Sequence, residues 1–401
     1  MTPVFIKNSA VFSAALLGAV MAMPSLKPLY ADSAPERGIV SLKYLNYQDW
    51  QTGDTPITAG MTRDRIGVQA LSLMGMVPIA GEWSLNVTLL EDLVTGASPA
   101  YHSSGFPSTV SAASALDLRH AGDLQLTRYF SRGSLSGGFS FSQENDYISR
   151  GISLQGSWET EDKNTTLTLG GSYSSDTIDL GGEHVVPSKK QDTPENKKVY
   201  AGLLGITRVL TKSDIIQFNL GYTSGKGYYT DPFKDPDQRP GDRNSATFMT
   251  RWNHHFDGTD GTLHLSYRYY GDSWGINAHT LGAEFIQPLP YGLTLTPEVR
   301  FYSQSAADFY VPVGNDEKDD PSVATAPPSG AVYYSEDQRL SSFGAYTLGL
   351  KIGKKLGKSW LMDAKYERYE QRDEWSLFGK GDPGVATFNA RNFQLGVSRE
   401  F

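Results

Sequence analysis

Most of the chain follows a period-two pattern in which apolar side chains alternate with polar or small ones. In residues 388–401, for example, Phe393, Leu395 and Val397 are apolar and the residues between them are polar or small. The same alternation occurs in residues 166–173, 216–223, 263–270 and 346–353. The pattern is typical of β-strands with one apolar and one polar face. It predicts an all-β fold, but a soluble sandwich would show it as well.

The composition fits a barrel with a wet interior better than a packed globule. Only 39% of the 401 residues are hydrophobic, yet 12% are aromatic and 41 are glycine. A disordered chain would be poor in aromatic residues. The chain has no cysteine, which excludes disulfides and cysteine-ligated metals. The net charge of −8, without a basic patch, argues against a nucleic-acid partner.

The N-terminus has the features of an export signal. Lys7 precedes residues 10–23, an uncharged and mostly apolar segment that Pro24 ends. Such a segment is too short to cross a bilayer as a helix and matches a secretory signal peptide. We predict cleavage after Ala31, with Ala22 as the alternative site. Residues 1–31 would then be the signal peptide and residues 32–401 the outer-membrane β-barrel.

Two kinds of connection alternate along the remaining chain. Seven short turns are predicted at residues 79–82, 131–133, 160–164, 211–214, 257–261, 290–292 and 355–358. Eight other connections, most of them long, are predicted at residues 51–62, 96–114, 145–149, 176–197, 231–241, 271–274, 305–336 and 371–387. Fifteen connections predict about 16 strands in a transmembrane antiparallel up-and-down β-barrel, with short periplasmic turns, long extracellular loops and both termini on the turn side.

Aromatic residues concentrate at the predicted strand ends. Near the short turns they are Trp83, Tyr129, Phe130, Trp158, Trp252, Phe256, Tyr291 and Trp360. At the opposite ends they are Tyr44, Tyr47, Trp50, Tyr228, Tyr229, Tyr269, Tyr270 and Trp274. Two such bands are expected where a barrel meets the two membrane interfaces.

Specific stretches of the sequence resemble known outer-membrane proteins. Residues 393–401 (FQLGVSREF), ending in Phe401, resemble the signal that delivers such barrels to their assembly machinery. Other stretches resemble an uncharacterised proteobacterial family, domain of unknown function 3570 (DUF3570). They are residues 94–101 (VTGASPAY), 149–156 (SRGISLQG), 161–168 (EDKNTTLT), 251–256 (RWNHHF), 272–284 (DSWGINAHTLGAE), 302–309 (YSQSAADF) and 377–381 (LFGKG). The resemblance implies an outer-membrane barrel, often encoded beside a small lipoprotein and a periplasmic flavin transferase. It implies no activity or ligand.

Assigning the apolar face of each strand to lipid places a set of charged side chains in the lumen. The basic candidates are Lys43, Arg65, Arg119, Arg251, Arg268, Arg300, Lys351 and Lys365. The acidic candidates are Asp92, Asp117, Asp123, Glu284, Glu298, Asp363 and Glu367, and His264 shares their face. Such a lumen is nearly neutral, unlike the single-sign charge ring of an ion-selective pore. Its charges either line a wet channel or pair into a network that partly fills the lumen. The long loop at residues 305–336 either folds inward as a constriction or forms a surface cap.

The histidines do not predict a metal, cofactor or catalytic site. His254 and His255 are adjacent in one strand, so their side chains should point to opposite faces and cannot chelate one metal together. His264 could form a polar cluster with Arg268 and Glu284, which lacks a nucleophile. His120 falls on the lipid-facing side, which predicts a local irregularity in its strand. The acidic run at residues 315–320 lacks the spacing and glycine of a calcium loop.

The function predicted from the sequence is a porin-like passive channel for small solutes in the bacterial outer membrane, not an enzyme and without a cofactor. The alternative is a barrel scaffold that docks a periplasmic or lipoprotein partner in an envelope redox or export system. A third reading, a membrane-embedded hydrolase, would depend on His264. The expected partners are outer-membrane lipid, lipopolysaccharide and the barrel-assembly machinery.

Overall fold

Sixteen antiparallel strands form one closed barrel. The computed structural model describes residues 34–52, 64–97, 114–182, 185–234, 237–312, 329–379, 381–382 and 387–401. The barrel strands are β1 (Ile39–Gln51), β2 (Asp64–Ile79), β3 (Trp83–Ala97), β4 (Ser114–Phe130), β5 (Gly133–Gln143), β6 (Tyr147–Glu159), β7 (Thr165–Ile178), β8 (Glu195–Val209), β9 (Asp214–Gly227), β11 (Asp242–Phe256), β12 (Gly261–Asp272), β13 (Asn277–Leu289), β14 (Leu293–Gln304), β16 (Phe343–Leu356), β17 (Trp360–Arg372) and β18 (Phe388–Glu400). Each pairs with its neighbours along the chain, and β18 pairs with β1. The predicted barrel, strand number and topology are confirmed.

The other regular elements are small. Two-residue strands β10 (Asp237–Gln238) and β15 (Tyr334–Ser335) pair with each other outside the barrel sheet. Short 3-10 turns occur at Pro187–Lys189, Pro290–Gly292, Gln338–Leu340 and Asp373–Trp375. The described part of the chain contains no helix that is long and apolar enough to cross a membrane.

The two ends of the barrel differ as predicted. Seven connections of two to five residues lie at one end, which we call the short-turn rim. The longer connections lie at the other end, the long-loop rim. Gly38 and Phe401 exchange two backbone hydrogen bonds of 3.0 Å at the short-turn rim. The described N-terminal end and the C-terminus therefore meet at that rim. The proposed signal peptide lies outside the described residues.

The outer face of the barrel is apolar. Leu169, Ile152 and Leu348 expose 68%, 59% and 59% of their surfaces, and many other large apolar side chains on alternate positions are also exposed. Burying apolar surface is worth about 25 cal/mol per Å², so a face this apolar is suited to lipid rather than water. The intervening residues face the interior. There, Leu45, Val68, Ala70 and Val94 form a small apolar cluster on β1–β3, a feature that the polar-lumen prediction lacked.

The aromatic band at the short-turn rim is present except for Tyr129, which faces the interior, where its hydroxyl lies 3.1 Å from that of the buried Ser84. Phe130, Trp158 and Trp360 are exposed on the outer face. Arginine side chains lie over several of these rings, with the Arg132 guanidinium 5.0 Å from the Trp158 ring centroid and that of Arg399 5.3 Å from Trp360. Such cation–π pairs suit a membrane interface, because the ring stays in apolar surroundings and the charge stays in water.

Five residues predicted for the band at the long-loop rim do not belong to it, and two of them, Tyr228 and Tyr229, pack against buried loop residues at the mouth. Tyr47 faces the interior, where it packs against the Leu45 cluster. Tyr270 also faces inward and donates a hydrogen bond to Asp272. Trp274 is only 3% exposed and packs among loop residues. Sequence position near a strand end did not show which face each ring would occupy.

The irregularity predicted around His120 is absent. β3 and β4 pair in unbroken register, with Glu91 opposite His120. Both side chains lie on the outer face, and His120 Nε2 is 3.2 Å from Glu91 Oε2. The prediction was wrong because a polar partner on the neighbouring strand, rather than a bulge, accommodates the histidine.

Gly227 provides a test of close packing at the end of β9. Its φ angle is 134°, and an added Cβ would lie 2.1 Å from the carbonyl oxygen of Asn196. We expect Gly227→Ala to destabilise the barrel by about 1–3 kcal/mol, because the backbone must shift to relieve the clash. Urea unfolding in lipid vesicles would measure this. Gly202→Ala on β8 is the control, since nothing lies within 4 Å of its added Cβ; an equal loss in both variants would contradict the explanation.

Candidate functional site

The barrel interior carries the lumen residues that the sequence singles out. Cross-strand partners share a face, and the pairing places Lys43, Asp92, Asp117, Arg119, Asp123, Arg251, His264, Arg268, Glu284, Glu298, Arg300, Lys351, Asp363, Lys365 and Glu367 on the inner face. The side chain of Arg65 lies outside the described part of the chain. The charged residues are not spread evenly but form separate groups on the wall.

One group joins β11, β12 and β13. Arg251 Nη2 lies 3.0 Å from His264 Nδ1 and 3.7 Å from Glu284 Oε2, and His264 Nδ1 lies 3.5 Å from the same glutamate oxygen. The predicted cluster of His264 and Glu284 thus exists, but Arg251 rather than Arg268 joins it. Within the described residues no hydroxyl is hydrogen-bonded to His264, so the group lacks the nucleophile–base pair of a hydrolase.

A second group joins β14, β17 and β18. Lys365 Nζ lies 2.8 Å from Glu298 Oε1 and 3.2 Å from Glu367 Oε1. Asn392 donates a hydrogen bond of 2.8 Å to the other oxygen of Glu367. One lysine therefore compensates two glutamates that would otherwise repel each other across the wall.

The adjacent histidines on β11 also have separate surroundings. His254 Nδ1 lies 2.8 Å from Asp214 Oδ1 on the outer side, and the ring packs near Trp252 and Phe256. His255 Nδ1 lies 3.2 Å from Thr262 Oγ1. The two side chains have different partners, which agrees with the prediction that they cannot share a metal.

The opposite wall is open to water. Asp123, Gln125, Ser153, Gln155 and Ser172, on β4, β6 and β7, are exposed although they face the interior. Exposure on the inner face requires space for at least a water molecule beside each side chain. The interior thus combines a paired, partly filled wall with an accessible one, so both alternatives left open by the sequence are partly realised.

The described ends of the longest loop pack at the mouth of the barrel. Gln304 faces the interior, and its amide donates hydrogen bonds of 2.9 and 2.8 Å to the carbonyl oxygens of Arg339 and Ser341. Leu340 packs in a buried cluster with Trp274 and Ile276. The described parts of the loop at residues 305–336 and the segment that follows therefore lie on the inner side of the long-loop rim. Residues 313–328, which include the acidic run, lie outside the described part.

A buried charge cluster ties two loops together at this mouth. We call it the mouth cluster; it comprises Asp231, Lys234, Asp237, Arg239, Asp337 and Arg339. Asp337 lies at its centre, 2.8 Å from Arg239 Nη2 and 3.2 Å from Lys234 Nζ, and it also accepts hydrogen bonds from Arg339. Pairing of β10 with β15 brings the two loops together. The cluster fixes the loop at residues 329–342 to the loop that follows β9.

The electrostatics of the mouth cluster favour its charged form. Burial alone would raise the pKa of Asp337, but Arg339, Lys234 and Arg239 outweigh burial and hold the pKa well below its ordinary value. Burial lowers the pKa of Lys234, although Asp337 opposes that effect. Asp337 therefore stays ionised at neutral pH and binds three cations at once.

Sequence reasoning missed the mouth cluster, although one signal was available. The tripeptide Asp-Gln-Arg occurs twice, at residues 237–239 and 337–339. In extended chain, as in the first copy, the first and third residues share a face. In the second copy Asp337 precedes the 3-10 turn at Gln338–Leu340, and its carboxylate accepts a hydrogen bond of 3.1 Å from the Arg339 backbone N–H. Arg239 Nε lies 2.9 Å from Asp237 Oδ1, and Arg339 Nε lies 2.7 Å from Asp337 Oδ1. Together the two motifs supply four of the six residues of the cluster.

A pocket lies beside the mouth cluster. Its walls include Tyr147, Lys197, Tyr228, Tyr229, Arg239 and Arg339. Lys197 Nζ lies 3.2 Å from Asp176 and 5.1 Å from the ring centroid of Tyr147. Each of the three cations is paired with a carboxylate, and Asp146 and Asp231 also line the pocket, so its lining combines both signs of charge with three tyrosines and has the chemistry to hold a small polar solute.

The fold and interior define a class of protein. A closed antiparallel barrel with an apolar outer face and a polar interior has the architecture of outer-membrane β-barrels, in which closure satisfies every strand edge. The chain belongs to the DUF3570 family, described as proteins of unknown function, whose model matches residues 8–392. No curated protein sequence matches the chain.

The chain is similar over most of its length to several solved structures. The chain is similar to Pseudomonas aeruginosa OccD3 (12% identity, TM-score 0.42, covering 93% of each chain). It is similar to a BenF-like porin from Pseudomonas fluorescens Pf-5 (10% identity, TM-score 0.45, 91% of this chain and 98% of that one). It is also similar to a Pseudomonas aeruginosa FadL homologue (10% identity, TM-score 0.43, 90% of each chain).

Proposed function

We propose that the protein is a porin-like channel of the bacterial outer membrane that passes small polar solutes by passive diffusion. The observation that carries the proposal is the water-accessible inner wall on β4, β6 and β7, inside a barrel whose outer face is apolar. A barrel of about 16 strands is wide enough for an aqueous path. We propose that the long loops face the outside of the cell and that the short turns face the periplasm, as is usual for outer-membrane barrels.

The lumen charges and the mouth would set the selectivity. Lys365 and Arg251 are both paired with glutamates, so the wall presents no single-sign ring. A channel of this kind discriminates weakly between small ions. We propose that the mouth cluster and the pocket with Lys197 narrow the entrance and select among solutes by size and polarity.

Single-channel recording tests the proposal. The protein, refolded in detergent, would be inserted into planar bilayers, and gel mobility with and without heating would verify that the barrel is closed. We expect discrete conductance steps with weak ion selectivity. A closed barrel that conducts no current would contradict the channel and favour a scaffold that docks a lipoprotein or periplasmic partner.

A further inference from the structure

Three carboxylates meet at the long-loop rim, where β4 approaches the connection between β5 and β6. Asp117, Glu144 and Asp146 each place an oxygen within 4.8 Å of the other two. Asp117 is 3% exposed and Glu144 is 6% exposed. Sequence analysis singled out only Asp117, because Glu144 and Asp146 lie in a short connection. Buried carboxylates at this separation repel one another unless positive charge compensates them.

The protein supplies little compensating charge at this cluster. Arg119 is the nearest paired cation, and its Nε lies 2.7 Å from Asp92 but 4.0 Å from Glu144. Asp92 is fully buried, so it needs that guanidinium for itself. Asn145 donates a hydrogen bond of 2.7 Å to Asp117 Oδ1, which orients the carboxylate without neutralising it. Among the described residues, Arg119 is therefore shared between Asp92 and Glu144.

The oxygens of the connection point to a missing ligand. Glu144 Oε2 and Asp146 Oδ1 are buried and have no hydrogen-bond partner among the described residues. A buried polar atom without a partner costs about 1–3 kcal/mol, and more when it is charged. A cation would satisfy these atoms.

We propose that Asp117, Glu144 and Asp146 bind one calcium ion. Calcium takes oxygen ligands at about 2.3–2.6 Å, so two of its ligands can lie up to about 5 Å apart, which is compatible with oxygens within 4.8 Å of one another. Magnesium demands a near-ideal octahedron at about 2.0–2.1 Å and keeps several water ligands, whereas calcium accepts an irregular set of carboxylates such as this one. Water or backbone carbonyl oxygens would complete the coordination.

The ion would join two parts of the rim. Asp117 belongs to β4, whereas Glu144 and Asp146 belong to the connection between β5 and β6. Asp146 also lines the pocket beside the mouth cluster. Calcium would fix this connection to the barrel wall and remove negative charge from one side of the pocket. Calcium binding can be measured without any conductance, so the inference stands or fails separately from the channel proposal.

Terbium luminescence provides the test. The refolded protein in detergent micelles would be titrated with Tb³⁺, for which Tyr147 beside Asp146 is a suitable energy donor, and the signal would then be displaced with Ca²⁺. We expect saturable binding that Ca²⁺ displaces more effectively than Mg²⁺. Glu144→Gln and Asp146→Asn should each weaken binding at least tenfold. Asp192→Asn, an exposed aspartate on the same side of the barrel, should bind like the unaltered protein.

Two results would overturn the inference. One is the absence of saturable binding to the unaltered, closed barrel. The other is unchanged affinity in Glu144→Gln and Asp146→Asn, which would place the ions elsewhere, for example on the acidic run at residues 315–320. Heat-modifiable gel mobility would verify folding of each variant. Glu144→Asp keeps the charge but shortens the reach, so it should show intermediate affinity even if Glu144→Gln does not fold.

Discussion

Asp337→Asn is expected to release the loops at the mouth while leaving the barrel intact. Asp337 is fully buried and contacts Arg239, Lys234 and Arg339. Asparagine keeps the size of the side chain but leaves these cations without their central acid. Breaking a buried ion pair by removing one partner costs about 3–5 kcal/mol. The strand ladders do not depend on this contact, so the loss should be confined to the loops.

Limited proteolysis would measure the release. If local opening controls proteolysis, the rate at which the protease cleaves Asp337→Asn within residues 228–241 and 329–342 should rise by at least about 100-fold over the unaltered protein. Single-channel conductance should rise as well, because these loops lie on the inner side of the rim. Asp242→Asn is a matched control, since Asp242 is exposed at the start of β11 near the same mouth. Equal cleavage of both variants would show that Asp337 does not hold the loops.

Acid should release the same loops, and the direction follows from the lowered pKa of Asp337. A carboxyl whose pKa is lower in the folded state stabilises that state fully above the pKa of the unfolded chain, about 3.9. The stabilisation is lost as the pH falls through the folded value, which lies well below the ordinary one. We therefore expect the loops to resist proteolysis from pH 7 down to about 4 and to open below that range. Opening already between pH 7 and pH 5 would contradict this assignment.

The barrel was predictable from local pattern, because each strand carries its own period-two signal. Leu395 and Val397, for instance, identify the outer face of β18 without reference to any other strand. The number of strands followed from counting turns. The interior was less predictable, since alternation gives only the face of a residue. It could not reveal that Leu45 and Val68 form an apolar cluster inside, or that Tyr47 packs against it.

The mouth cluster and the group of Asp117, Glu144 and Asp146 exist only because the closed fold brings together residues that are distant in sequence. Asp337 and Arg239 are 98 residues apart in sequence and meet because two loops cross the same opening. Glu144 and Asp117 are brought together by the pairing of β4 with β5. Neither group has a recognised motif spacing. Residue type alone therefore suggested solvated loop charges, whereas burial and missing partners identify candidate sites.

Lys365→Gln is expected to have the largest effect within the lumen. The substitution removes the cation that lies 2.8 Å from Glu298 and 3.2 Å from Glu367, and leaves two adjacent carboxylates on the inner wall. We expect a loss of about 3–5 kcal/mol in unfolding free energy if both glutamates stay ionised, and less if one of them takes up a proton. The surviving negative charge should also shift the channel toward cations. Urea unfolding in vesicles and the reversal potential under a salt gradient would measure the two effects.

Lys351→Gln is the matched control, because it separates the effect of losing an ion pair from the effect of losing one positive charge in the lumen. Lys351 lies directly opposite Lys365 on the neighbouring strand β16 and faces the same lumen. Its replacement removes the same charge, but within the described residues it has no carboxylate at ion-pair distance. The reversal potential should therefore shift in the same direction in both variants, because the selectivity responds to net lumen charge. Stability should fall only in Lys365→Gln. Equal stability losses would mean that the wall responds to charge alone, and an unchanged reversal potential in a conducting Lys365→Gln barrel would mean that ions do not pass beside Glu298 and Glu367.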